Sequence, residues 1–106
     1  IDIKDFFKTQ LKVATIIDAI AVPKSKKLLQ LQVDIGEDSP RQIIAGIAEY
    51  YTPESLIGTQ ICIVANLKPA KIMGYESQGM LLAAKDGNGL SLIRPEAICE
   101  NGAAIG

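Results

Sequence analysis

The chain has 106 residues, 48% of them apolar and 22% charged, with a formal net charge of −1, which suits one domain around one modest core. It contains no histidine, and this excludes a Ser-His-Asp triad, a Cys-His pair and any imidazole metal ligand. No apolar run approaches the roughly 18 residues that a membrane-crossing helix needs, and no segment reads as a signal peptide.

A short helical turn is predicted at the start, with Asp2 as its cap and Phe6 and Phe7 packing inward. Leu11 to Val22 is apolar and β-branched and reads as a strand, with Val13, Thr15, Ile17 and Ala19 on one face. Leu29, Leu31, Val33 and Ile35 alternate with Gln30, Gln32 and Asp34, the pattern of a half-buried strand. "IGEDSPR" is a turn, broken by Gly36, Asp38 and Pro40. A third strand runs from Gln42 to Ile47. In "TPESLIG", Thr52 stands at an N-cap, Pro53 at the first helical position and Gly58 at the stop, so a short helix follows. Gln60 to Asn66 is a fourth strand and Gly79 to Ala84 a fifth. Leu90 to Ile93 adds a short strand after the turn "KDGNG". Tyr50 and Tyr51, beside the short helix, are placed to close the bottom of a barrel.

Five strands with a helix between the third and fourth is the order of an OB-fold, a mainly β, partly open Greek-key barrel. The whole chain, 1–106, reads as one such domain. In this architecture the loops between strands 1 and 2 and between strands 4 and 5 bind oligonucleotides. Here those loops hold the basic residues. Residues 23–27 and 66–85 carry six lysines (Lys24, Lys26, Lys27, Lys68, Lys71 and Lys85) against one acid, Glu76. The remainder has five basic residues against eleven acidic ones. Clustered lysines read phosphate backbones whatever the base sequence, and a low overall pI leaves such a patch intact.

Other chemistry has little to work with. Cys62 and Cys99 lie far apart among isoleucines and read as buried reduced thiols rather than a disulfide, as in a cytoplasmic protein. Two isolated cysteines make no zinc site, and no GxGxxG or P-loop is present. The carboxylates are scattered over turns. No catalytic residue, cofactor or metal site is expected. "PKSKK" is a poor match to the KMSKS signature of class I synthetases, whose HIGH partner needs a histidine. The chain opens at Ile1 without a methionine, as a processed or excised piece of something longer would.

The segments "SKKLLQLQVDIG", "GIAEYYTPESLIG" and "VANLKPAKIMGYESQGMLLAA" resemble the dimeric bacterial tRNA-binding domain family. That family includes free-standing structure-specific tRNA-binding proteins and the C-terminal domain of many methionyl-tRNA synthetases. "IDIKDFFKTQLKVATI" is similar to the usual entry into the domain, so the resemblance covers essentially the whole chain. It implies an OB-fold, a homodimer and binding of tRNA by shape, either alone or beside the catalytic portion of a methionyl-tRNA synthetase in the same polypeptide.

The resemblance carries tRNA contact to Lys27, Asn66, Lys68, Lys71, Ser77 and Met80. Asn66 makes either a turn hydrogen bond or a contact to sugar or phosphate. Lys68 is held extended by Pro69, and Lys71 follows in the same loop; both are phosphate ligands on this reading. Ser77 either caps the turn into strand 5 or bonds a phosphate. Met80 packs either in the core or against nucleic acid. Ser25, Lys27 and Leu28 match the first-loop pattern, with Lys27 on the backbone and Leu28 in the core. Tyr75 either stacks on an exposed base or shields the loop. Ala70 stands where many members have arginine, and Lys26 where many have an acid. The alternative function is a protein-interaction module of export-chaperone or signalling type. For the dimer, Ile1, Ile3, Phe6, Phe7, Leu92, Ile93, Ile98 and Ile105 are the apolar residues that one small core leaves over.

Overall fold

A computed structural model describes all residues, Ile1–Gly106. In chain order it contains α1 (Ile3–Phe6), β1 (Leu11–Ala21), β2 (Leu29–Asp34), β3 (Arg41–Ala45), α2 (Pro53–Leu56), β4 (Gln60–Val64), β5 (Ala70–Ile72), β6 (Tyr75–Ser77), β7 (Met80–Leu81), β8 (Ala83–Asp86), β9 (Gly89–Leu92) and β10 (Ala104–Ile105). The principal sheet is antiparallel in the order β3-β2-β1-β4-β7, with β10 added beside the start of β1. β1 serves two ladders: Leu11 to Thr15 pair with β4, and Thr15 to Ala21 pair with β2. A strand shared in this way bends the sheet round into the nearly closed barrel expected for an OB-fold.

The bend has a local cause. The β1–β2 register shifts between Ile16 and Asp18, the mark of a bulge, which inserts one residue and reverses the in-out parity beyond it. Ala14 and Ile16 therefore point into the core, and after the bulge Ala19 does so. The four residues expected on one face, Val13, Thr15, Ile17 and Ala19, are therefore divided: Val13 and Thr15 lie on the face opposite Ala14 and Ile16, Ile17 is 45% exposed, and Ala19 alone joins the core cluster. Alternation along β2 holds throughout: Leu29, Leu31 and Val33 are buried and the intervening polar residues half-exposed. All five residues of β4 are buried, because Ile61 and Ile63 face the core while Cys62 is bonded through its amide to Ile93 C=O (3.0 Å).

Two further expectations need correction, and a third holds in position alone. Phe6 and Phe7 do not pack inward: α1 buries no residue, Phe7 is exposed, and the two rings meet each other edge-on with centroids 5.3 Å apart. Neither ring belongs to the core cluster or packs against it. The fifth strand divides into β7 and β8 around Leu82, whose N–H turns to Cys62 C=O (3.0 Å). Thr52 sits at the N-cap of α2 in extended conformation but makes no side-chain cap bond; the Ser55 hydroxyl instead donates to Thr52 C=O (2.7 Å).

The cysteines also part company. Both are free, Cys62 buried and Cys99 exposed, so the expectation of two buried thiols holds for Cys62 alone. Burial pushes the Cys62 thiol up from its ordinary value, with a smaller contribution from Cys99, and leaves it even less thiolate at neutral pH. A thiol reagent should therefore label one cysteine, Cys99, in the native protein, and the second only after denaturant is added. Mass spectrometry of the labelled peptides checks this, and native labelling of Cys62 would contradict the packing.

The C-terminal residues are fastened to the barrel. Gln60, buried on β4, donates to Cys99 C=O (2.7 Å) and accepts from Cys99 N–H (2.9 Å). The Thr15 hydroxyl donates to Asn101 Oδ1 (2.5 Å). Gly102 N–H reaches Val13 C=O (2.8 Å), and Val13 N–H reaches Ala103 C=O (3.0 Å), which seats β10 in register with Leu11 and Lys12.

Candidate nucleic-acid interface

The first basic loop is built around Ser25. Its hydroxyl oxygen accepts from Lys27 N–H (3.3 Å) and Leu28 N–H (3.1 Å), while Val22 N–H closes the loop onto Leu28 C=O (3.1 Å). Lys24 takes a left-handed φ of 66° to complete the turn. Side chains of Lys24, Lys26 and Lys27 are all outside, and Leu28 is half-buried. Ala48 N–H donates to Lys27 C=O (3.0 Å), so the loop rests on the segment leaving β3.

The second basic loop is a hairpin arm, for which the sequence carries no strand signal. β5 and β6 pair with Lys71 opposite Glu76 and Ile72 opposite Tyr75. Met73 and Gly74 make the two-residue connection, both with positive φ (50° and 84°), as a primed hairpin turn requires. Lys68 and Lys71 are exposed on the arm, and Met80, just beyond it on β7, is 49% exposed.

The base of the arm is clamped to β3. The Arg41 guanidinium donates through Nη1 to Ala65 C=O, where the arm leaves, and to Gln78 C=O (3.2 Å), where it returns. Its other nitrogens pair with Glu37 at 2.8 and 2.9 Å. Gln42 adds a second clasp. Its N–H donates to Gln78 Oε1 (2.9 Å), its amide nitrogen to Glu76 C=O (2.9 Å), and Gln78 N–H returns to Gln42 C=O (2.7 Å). Gln30 and Gln32 both donate to Gln42 Oε1 (2.7 and 3.1 Å). The sequence reading missed this network. Its signal was the polar half of the β2 alternation, which reads as solvated surface unless Gln42 is known to lie opposite.

Of the residues singled out, four present side chains outward and two are spent inside the chain. Lys27, Lys68, Lys71 and Met80 are exposed. Ser77 is 4% exposed. Its hydroxyl accepts from Ile44 N–H and donates to Gly79 C=O, both at 3.0 Å. Both bonds belong to the turn-capping role. Asn66 is exposed, but its Oδ1 accepts from Gln10 N–H (2.8 Å) and its Nδ2 donates to Lys8 C=O (2.7 Å), tying the end of β4 to the N-terminal segment. Tyr75 is half-buried on β6.

Charge follows the same division. The ion pairs of the chain are Lys8–Asp5 and Arg41–Glu37, and none of the six loop lysines belongs to either. Lys85 lies on β8 with its ammonium 5.6 Å from the Tyr50 ring centre, a cation–π contact rather than part of the arm. The Glu37 carboxyl is held below the usual carboxylate range chiefly by its hydrogen bond from Arg41, and Arg41 is raised in turn. That pair therefore contributes fully above the ordinary glutamate value and fades as the pH falls through and below it.

Arg41→Met should cost about 2 kcal/mol, because two carbonyls lose their donor, and Gln78 N–H should exchange faster with solvent. Glu37→Gln, which removes only the exposed partner, should cost under about 1 kcal/mol. Equal melting temperatures for the two variants would show that the carbonyl contacts contribute nothing to the clamp.

Residues 11–104 match the family described as "Putative tRNA binding domain". The chain is 53% identical over 105 residues to a methionine--tRNA ligase of Thermotoga maritima, covering 99% of the chain but 16% of that protein. The chain thus spans about a sixth of that curated relative. Among solved structures it is similar to a MetRS-related protein from Pyrococcus horikoshii (TM-score 0.91, 40% identity, 99% of this chain and 96% of that one). It is also similar to the chaperone CsaA from Bacillus anthracis (TM-score 0.88, 30% identity, 100% and 98%). Barrel, arm and sequence agree, and the chain belongs to the tRNA-binding-domain family.

Proposed function

We propose that this chain is a non-catalytic module that binds tRNA through backbone and shape, as the C-terminal domain of a methionyl-tRNA synthetase or as a free-standing homologue, in the cytoplasm. The observation that carries the reading is the pair of loops whose lysines have no carboxylate partner, in a chain with a net charge of −1. An anionic polymer supplies what those lysines lack, and phosphate contacts of this kind fix register without reading sequence. Within a synthetase the module adds general tRNA affinity while another domain reads the anticodon. Lys27, Lys68, Lys71 and Met80 make the contacts; Asn66 and Ser77 hold the loop that presents them.

The reading extends to a homodimer. Ile1, Ile3, Phe7, Ile93 and Ile98 are exposed, whereas Leu92 is buried and Ile105 partly so. Phe7, Thr9 to Lys12 and Ala104 to Gly106 border an apolar groove of about 360 Å³, a patch that a two-fold copy covers with the same patch of its own. Light scattering at micromolar concentration should give twice the 11.3 kDa chain mass. A monomer there sinks the dimer and leaves tRNA binding standing.

The similarity to CsaA favours one second reading, binding of unfolded polypeptide through the exposed apolar residues. Equilibrium binding separates the two. Two unrelated tRNAs should bind with similar affinity, and log affinity should fall linearly with log salt. An unfolded client that binds tightly while both tRNAs do not would reverse the assignment.

A further inference from the structure

The tip of the arm is built against local preference. A two-residue primed turn needs positive φ at both positions, which Asn-Gly supplies without strain. Gly74 meets the second requirement. The first falls to Met73, an unbranched apolar residue held at φ 50°, a region that side chains other than asparagine, aspartate and glycine seldom occupy. Strain of this kind persists where it serves something. Nothing inside the chain receives the benefit, since Met73 is 56% exposed and outside the core cluster.

The surroundings indicate what does. Lys68 and Lys71, on the same arm, form no ion pair, although Glu76 stands opposite Lys71 across the hairpin. Leu67 and Met80, which flank the arm, are 46% and 49% exposed. Apolar side chains interleaved with unpaired cations complement a ligand that alternates flat apolar faces with negative charge. Nucleic acid has that composition. In a double-stranded RNA the base faces are hidden within the stack, whereas folded RNA displays them in loops and at the ends of stacks. A polarisable thioether makes favourable contact with an aromatic ring.

We propose that Met73 seats against an unpaired or stack-end base of the bound tRNA, so that the arm distinguishes folded RNA with accessible bases from plain duplex. The inference rests on the tRNA reading above and adds to it a contact that is apolar and salt-independent. The lysines supply affinity for any phosphate backbone, and the tip supplies selectivity for RNA shape.

The test uses Met73→Asn, which suits the left-handed turn and removes the thioether, and Met73→Leu, which restores an apolar side chain. Binding of a folded tRNA and of a long RNA duplex is measured for both variants and the parent at several salt concentrations. The asparagine variant should lose about two- to tenfold in tRNA affinity, lose nothing on duplex, keep the salt slope of the parent, and melt no lower than the parent, since asparagine accepts the positive φ of the turn. The leucine variant should bind tRNA nearly as the parent does. Chemical probing should show a loop or stack-end base that the parent protects and the asparagine variant exposes. Unchanged tRNA affinity in the asparagine variant overturns the inference, as does an equal loss on both RNAs. A parent protein that binds no tRNA removes the functional reading itself, an outcome distinct from each of these.

Discussion

Replacing Lys68 and Lys71 together by alanine is expected to weaken tRNA binding by about ten- to a hundredfold, since each charge-assisted bond to phosphate is lost with little to replace it. The loss should be similar for unrelated tRNAs, because backbone contacts carry no sequence information. The slope of log affinity against log salt should become shallower by about 0.7 to 0.9 for each phosphate contact removed. The melting temperature should hardly move, as exposed loop lysines contribute within about 0.5 kcal/mol. Lys4→Ala with Lys8→Ala is the charge-matched control. Neither residue lies in a basic loop, and the Lys8–Asp5 pair is exposed and worth little. Equal losses in the two double variants would mean that general charge, rather than the arm, holds the RNA.

The largest effect on stability is expected at a glycine remote from the arm. Gly102 has φ +87°, and a Cβ there would lie 2.3 Å from the backbone oxygen of Ile35. Its neighbour across the contact, Gly36, has φ +82° and would bring a Cβ to 2.6 Å from Asn101 O. The two glycines let the C-terminal stretch cross the β2–β3 turn backbone against backbone. Gly102→Ala should therefore cost at least about 3 kcal/mol, a fall of roughly 10–20 °C in melting temperature. Gly58→Ala provides the comparison. Gly58 has φ +89° but open space around its Cβ position, so it carries the conformational penalty without the collision and should cost about 1 kcal/mol. If the two variants melt together, the close approach is not what Gly102 is there for.

The sequence revealed most where local pattern and tertiary environment coincide. Alternation in β2 survives because one face meets the core and the other meets glutamines, and the Thr-Pro start of α2 is local chemistry. Ala19 does not share the face of Val13 and Thr15 because a bulge depends on pairing with β2, which composition along β1 does not encode. The hairpin in the arm was missed for a related reason. Its turn is Met-Gly rather than a residue pair that favours positive φ, so the usual signal was absent. Phe6 and Phe7 were read as core because aromatic residues usually bury, yet α1 has nothing to bury them against within one chain. In the candidate site, the exposed lysines were legible from charge clustering alone. Arg41 and Gln42 were not, since their significance lies in carbonyl groups of Ala65, Gln78 and Glu76 that only folding brings near.

The pairing of β10 with the start of β1 brings the two ends of the chain together: Leu11 lies opposite Ile105, and Gly106 lies beside the Phe7 ring. Entry and exit on one side make the barrel portable. A longer polypeptide can carry it at an end, or receive it within a loop, without stretching a connection across the fold or disturbing the arm. The attachment point of the barrel is thus a single place on its surface.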